Sequence, residues 1–164
     1  MSRSETIRTT QDAWTTDPNA AKGAPAVSGR LVDGQAELTS GKYTWRADLP
    51  SGLGGTGTAP SPTQLLLGAL AGCAVAFIHD TLAPQLDIDV KDVTAVARCK
   101  TDARGLLGME GARPDLMDIE LEITVDASGP PDRLRALEQV WLERCPIYLA
   151  IAKPNGVSVR VTGA

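Results

Sequence analysis

The sequence predicts an α+β fold, two helices packed on one-sided antiparallel sheet, and three stretches carry that expectation. "MDIELEITVDA" alternates without a fault. Ile119, Leu121, Ile123 and Val125 point one way, and Glu120, Glu122 and Thr124 the other, as in a half-buried strand with one wet face. "QLLLGALAGCAVAFIHDTL", residues 64–82, is apolar on nearly all sides and reads as a central helix. Downstream, Leu134, Leu137, Trp141 and Cys145 recur at spacings of three and four, so they share one face of a second helix.

The chain of 164 residues suits one domain, expected over 23–164, behind polar residues 1–22 that read as an arm or a weakly ordered helix. "AVSGRLV" leads through Asp33-Gly34, a hairpin signal, into "QAELTSGKYTWRADL", where Gly41 marks a turn or bulge. "PSGLGGTGTAPSP" must be loop, and its glycines form no phosphate cradle because no Lys-Ser/Thr pair follows them. Ser61 as N-cap and Pro62 in the first turn open the central helix, expected over about 62–83, with Pro84 stopping it.

"DIDVKDVTAVARCKTD" alternates at Val93, Ala95, Ala97 and Cys99, and "RGLLGMEGARPDL" connects it to the strand at 117–127. Gly129-Pro130-Pro131 opens the second helix, about 131–145, and Pro146 can begin a short one, "PIYLAIAK". Pro154-Asn155-Gly156 then turns the chain into a last strand, with Val157, Val159 and Val161 alternating against Ser158 and Arg160. The expected order is ββ-α-ββ-α-β.

A net charge of −4, with both signs mixed along the chain, argues against nucleic acid as the partner. The longest apolar run, within 65–78, is shorter than the ~20 residues that span a bilayer. The N-terminal "MSRSETIRTTQDAWTTDP" has no apolar core of the signal-peptide kind. The expectation is a cytoplasmic protein with no membrane partner, in a compartment that keeps thiols reduced. Three cysteines without a CxxC pair, beside one histidine, argue against a zinc site.

The thiols then hold the chemical interest. Cys73 lies mid-helix among small residues, too far from the helix start for the dipole to act on it. It is either core filling or a nucleophile that needs a cation from tertiary or subunit contacts. Cys145, ahead of Pro146, is either the N-cap of a short helix, where backbone N–H groups favour a thiolate, or part of the apolar face before it. Cys99 is in phase with the strand core. His79 is on roughly the opposite side of the helix from Cys73 and reads as a partly exposed residue, with Asp80 available to pair locally.

"SPTQLLLGALAGC" and the downstream "ERCPIYLAI" together resemble the OsmC/Ohr family of hydroperoxide-reducing proteins. The first follows the family pattern Pro-x-[Glu/Gln]-Leu-Leu-x-x-Ala-x-x-x-Cys behind a Gly-Gly loop, here Gly54-Gly55; the second ends a helix in Cys-Pro. The resemblance covers roughly residues 25–162. It implies an OsmC-like fold, an intertwined homodimer with its sites at the subunit interface, and a small organic hydroperoxide as substrate. By the same resemblance Cys73 would be the peroxidatic thiol and Cys145 the resolving one, with a dithiol reductant reopening the disulfide and no cofactor required. Peroxidase members carry a glutamate near the start of the first helix that orients an activating arginine; this chain has Thr63 and Gln64 there. Arg46, with Arg30 behind it, is the candidate for that arginine, and slower chemistry is implied. The competing reading is a non-catalytic dimer of the same fold that binds a small apolar ligand at the subunit interface.

Overall fold

The computed structural model describes residues 2–128, 131–153 and 156–163. Ser2 opens the first helix with a capping box: its hydroxyl accepts from the Glu5 N–H while its own N–H donates to the Glu5 carboxylate. Helix α1 (Arg3–Thr16) follows, so most of the polar arm is helical although none of it is buried. It lies at the far end of the long apolar helix, where the Ser4 hydroxyl donates to Pro84 O and Arg3 pairs with Asp80.

Strands β1 (Ser28–Val32), β2 (Gln35–Ser40) and β3 (Tyr43–Ala47) form an antiparallel sheet in sequence order. Asp33 and Gly34 both adopt positive φ, +52° and +79°, and so place Val32 opposite Gln35 in a tight hairpin. Gly41 at φ +55° divides the long stretch after it into two strands. The Gly-Pro loop then carries the chain to α2 (Pro62–Phe77), started by a second capping box between Ser61 and Gln64.

Pro84 does not end this helix. The axis continues through a π-turn (Ile78–Leu82) into α3 (Ala83–Gln85), with Ala83 N–H reaching back five residues to Ile78 O. The wider turn makes room for a proline that has no N–H and would otherwise crowd the carbonyl of Asp80. The resulting helical run, Pro62–Gln85, is long and apolar enough to cross a membrane by length and composition, where 65–78 alone falls short. Here its ridge of Leu70, Ala74, Ile78 and Leu82 is buried in the core with Ala83, Val93, Leu137 and Trp141.

Strands β4 (Asp89–Lys100) and β5 (Met117–Ser128) form a separate antiparallel pair. A loop containing the short turn α4 (Ala103–Leu106) joins them. Inward and outward residues of β5 alternate over its whole length. Cys99 falls in an irregularity of the register between Arg98 and Lys100. Helices α5 (Pro131–Arg144) and α6 (Pro146–Ala152) complete the layer. Gly129-Pro130 and Pro154-Asn155, expected as turns, lie outside the described residues.

Two expectations change. The one-sided sheet is two sheets among the described residues, three strands and two. The last strand is not formed: residues 157–163 carry no ladder, and Val157, Val159 and Val161 are 83, 80 and 92 % exposed. Alternation makes a segment able to pair, but a strand exists only when a neighbouring edge takes up its N–H and C=O groups. In one copy of the chain these residues meet no such edge.

Candidate thiol site

Elements far apart in sequence bring two thiols together. Cys73 lies within α2, one turn beyond the buried Leu70, and Cys145 follows α5 as the N-cap of α6. Their sulfurs are 3.1 Å apart across 72 residues of sequence. Pro146 makes the corner: it disfavours helical geometry at Cys145, whose φ of −69° and ψ of 111° are extended, and it supplies the first residue of α6.

The start of α6 serves both sulfurs. Tyr148 N–H donates to Cys145 Sγ at 3.4 Å, and the Ile147 backbone N–H donates to Cys73. Cys145 N–H is itself held by Trp141 O at 2.9 Å. Cys145 is fully buried whereas Cys73 is part-exposed, so Cys73 is the sulfur that an incoming molecule can reach.

Burial first, then the hydrogen bond and charge of Cys145, raise the Cys73 pKa from 9.0 to about 11; the Ile147 N–H opposes them weakly. Among the described residues no cation acts on Cys73. In a single copy Cys73 is therefore held as a neutral thiol in close contact with Cys145. Its sulfurs need to approach by only about 1 Å to reach bonding distance.

Arg46 and Arg30 are not brought to these sulfurs by contacts within the chain. Arg46 donates to Gln35 Oε1 at 3.1 Å and pairs with Asp33 and Glu37, all on its own sheet or hairpin. Arg30 donates to Glu37 through Nε and Nη2. Gln64, standing where the family glutamate would be, has its side-chain oxygen engaged by Ser61 N–H in the capping box.

Beside Arg46 lies a group the sequence did not single out. The Asp48 carboxylate is buried and accepts from the Thr56 hydroxyl at 2.5 Å, from Gln35 Nε2, and from the N–H groups of Leu49, Thr56 and Thr58. The Thr56 hydroxyl above all, with Gln35 and the loop amides, holds its pKa far below the ordinary carboxylate range. Gln35 thus links Asp48 on one side to Arg46 on the other. The loop it clamps is tight: a Cβ on Gly55 would collide with the Leu49 carbonyl. An aspartate directly ahead of a Gly/Thr-rich loop was the available signal.

His79 points away from the thiols, to Asp80 and Arg3. Cys99 is part-buried on β4. Among the described residues no three His, Cys, Asp or Glu side chains gather as a metal site.

The family model "OsmC-like protein" matches residues 55–160. No curated protein matches the sequence. Among solved structures, the chain is similar to an OsmC-like protein from Mycoplasma pneumoniae at 17 % identity and a TM-score of 0.66, covering 80 % of this chain and 89 % of that one. An organic hydroperoxide resistance protein OsmC from Legionella pneumophila is 20 % identical with a TM-score of 0.53, covering 80 % and 90 %. An organic hydroperoxide resistance protein from Elizabethkingia anophelis is 17 % identical with a TM-score of 0.57, again covering 80 % and 90 %. At these identities the likeness is one of fold.

Proposed function

The chain belongs to the OsmC-like protein family, and from that premise we propose that it is a thiol-dependent peroxidase that reduces small organic hydroperoxides through Cys73 and Cys145. The observation that carries the reading is the 3.1 Å separation of the two sulfurs. Structural neighbours named as organic hydroperoxide resistance proteins support it.

In this reading the Cys73 thiolate attacks the O–O bond and keeps one oxygen as sulfenic acid, while the other leaves as alkoxide and takes a proton from solvent to become the alcohol. The Cys145 thiol then attacks that sulfur, water is released, and a Cys73–Cys145 disulfide results. A dithiol reductant reopens the disulfide by exchange and is itself oxidised. No cofactor takes part. The small shift needed for the second step suits a pair already in contact.

Activation requires a cation that the single chain does not bring to Cys73, and a homodimer would supply it. The dimer is supported by apolar surface that one copy leaves open. Only Leu70 and Ala74 of α2 are buried although the helix is apolar all round, and Leu31 and Tyr43 of the first sheet are exposed. In this arrangement Arg46 of the second copy faces Cys73. The cytoplasm, where thiols are kept reduced, is the compartment that fits such a cycle.

The test is peptide mass spectrometry after one equivalent of cumene hydroperoxide. Loss of two hydrogens and a Cys73–Cys145 linked peptide support the cycle; an unreacted pair removes it. The raised pKa of Cys73 favours one other reading, a dimer that binds a small apolar ligand at the subunit interface without turnover. Native mass spectrometry of freshly purified protein distinguishes it by a retained ligand.

A further inference from the structure

On one face of the first sheet Arg30 stands opposite Glu37, and Glu37 opposite Arg46. Arg30 donates to Glu37 Oε1 through two nitrogens, at 2.6 and 3.0 Å, so that oxygen is engaged on the Arg30 side. Glu37 Oε2 is left 3.9 Å from Arg46. The other carboxylate near Arg46, Asp33, is 81 % exposed and 3.5 Å away. Both ion pairs are longer than a good hydrogen bond, so neither fixes the direction of the guanidinium.

Gln35 does fix it. Arg46 Nη1 donates to Gln35 Oε1 at 3.1 Å, and Gln35 is buried on the same face, two residues before Glu37. A guanidinium can only donate, so it requires the amide oxygen. On the other side the Asp48 carboxylate, ionised at every ordinary pH, can only accept, so it requires the amide nitrogen, 3.2 Å away. One orientation of the Gln35 amide satisfies both, and the bond from Nε2 to the Thr58 hydroxyl, 2.5 Å, holds it there. Asp48 is in turn immobilised by the N–H groups of its loop.

We propose that Gln35 is a positioning residue for the thiol site, a neutral anchor that aims the Arg46 guanidinium at Cys73 of the second copy. This role rests on the one proposed above for Arg46 and adds what directs that side chain. Gln64, standing where the family glutamate would be, has its own oxygen engaged by Ser61 N–H. A carboxylate in direct contact holds an arginine but also offsets its charge, whereas an amide holds it and leaves the charge to act on the thiol. Asp48 acts one hydrogen bond further back, by setting the direction of the amide.

The test reads the pH midpoint of Cys73 alkylation, by peptide mass spectrometry, in the wild type, Gln35→Leu, Arg46→Ala and the double variant. Gln35→Leu keeps much of the side-chain bulk and removes the amide. It is expected to raise the midpoint by about half a pH unit, a fall of about threefold in thiolate, against about one unit for Arg46→Ala. In the Arg46→Ala chain it is expected to add nothing, because it acts through the guanidinium. An equal shift in both backgrounds overturns the proposal and assigns Gln35 to the loop alone. So does an unchanged midpoint in Gln35→Leu beside a raised one in Arg46→Ala, a result that leaves the thiol reading standing. An unchanged midpoint in Arg46→Ala removes Arg46 from the site, and Gln35 with it. The ¹⁵N spectrum of the wild-type arginine side chains needs no variant: rotation about the Arg46 Nε–Cζ bond is expected to be slow. Fast rotation overturns the proposal whether or not Gln35→Leu folds.

Discussion

The Sγ atom of Cys73 stands 3.1 Å from the Sγ atom of Cys145, closer than two sulfurs pack without a hydrogen bond and farther than a disulfide. Joining them closes a loop of 72 residues, which in the chain-entropy account stabilises the fold by about 4 kcal/mol. Thermal unfolding of the oxidised and fully reduced protein checks this. The oxidised form is expected to melt several degrees higher, and Cys145→Ser is expected to remove the difference.

Alkaline pH acts on the same pair. Cys73 titrates at about 11 in the fold, raised from 9.0 by burial and by its neighbour, so folding favours the neutral thiol. That contribution is whole below about pH 9 and is lost as the pH rises through 11. Urea midpoints measured across this range are expected to fall in the wild type and to stay flatter in Cys73→Ser. Any cation supplied by a second copy moves the window downward.

Arg46 is the proposed source of that cation. Arg46→Ala is expected to raise the Cys73 pKa in the proposed dimer and to slow peroxide consumption at neutral pH by about tenfold, as the thiolate fraction falls. Arg30, which hydrogen-bonds Glu37 through two nitrogens, is expected to matter less. Alkylation rates of Cys73 across pH separate the two variants. An unchanged midpoint in Arg46→Ala rules out the role.

Asp48 fastens the loop that delivers α2. Its lowered pKa, due chiefly to the Thr56 hydroxyl, means that its contribution is complete above about pH 4 and fades only as the pH falls further. Asp48→Asn retains the shape but replaces one acceptor oxygen with an amide group that confronts the Thr56 and Thr58 N–H donors. Limited proteolysis at neutral pH is expected to cut within 49–58 faster in this variant. The wild type is expected to show comparable sensitivity only in strong acid.

What was legible in the sequence followed from local periodicity and turn chemistry. Ile119 through Val125 announced β5, Asp33-Gly34 the hairpin, and Ser61-Pro62 the start of α2, because each depends on a few adjacent residues. The helix ran past Pro84 because a π-turn resolves the proline's clash, which no local rule signals. The valines at 157–161 had the right alternation but no partner edge, and an edge is a tertiary fact. Cys73 and Cys145 could be chosen by their motifs, whereas their contact depends on how α5 turns at Pro146 towards α2. Asp48 and the Trp141 N–H, which meets no acceptor among the described residues, escaped notice because their importance lies in what surrounds them.

The central claim concerns which sulfur meets the peroxide first. Cys145→Ser protein, exposed to cumene hydroperoxide in the presence of dimedone, measures it directly. The account predicts a dimedone adduct on Cys73 and none on Cys99. A Cys73 that stays open to alkylation and free of adduct after the peroxide has been supplied would contradict it.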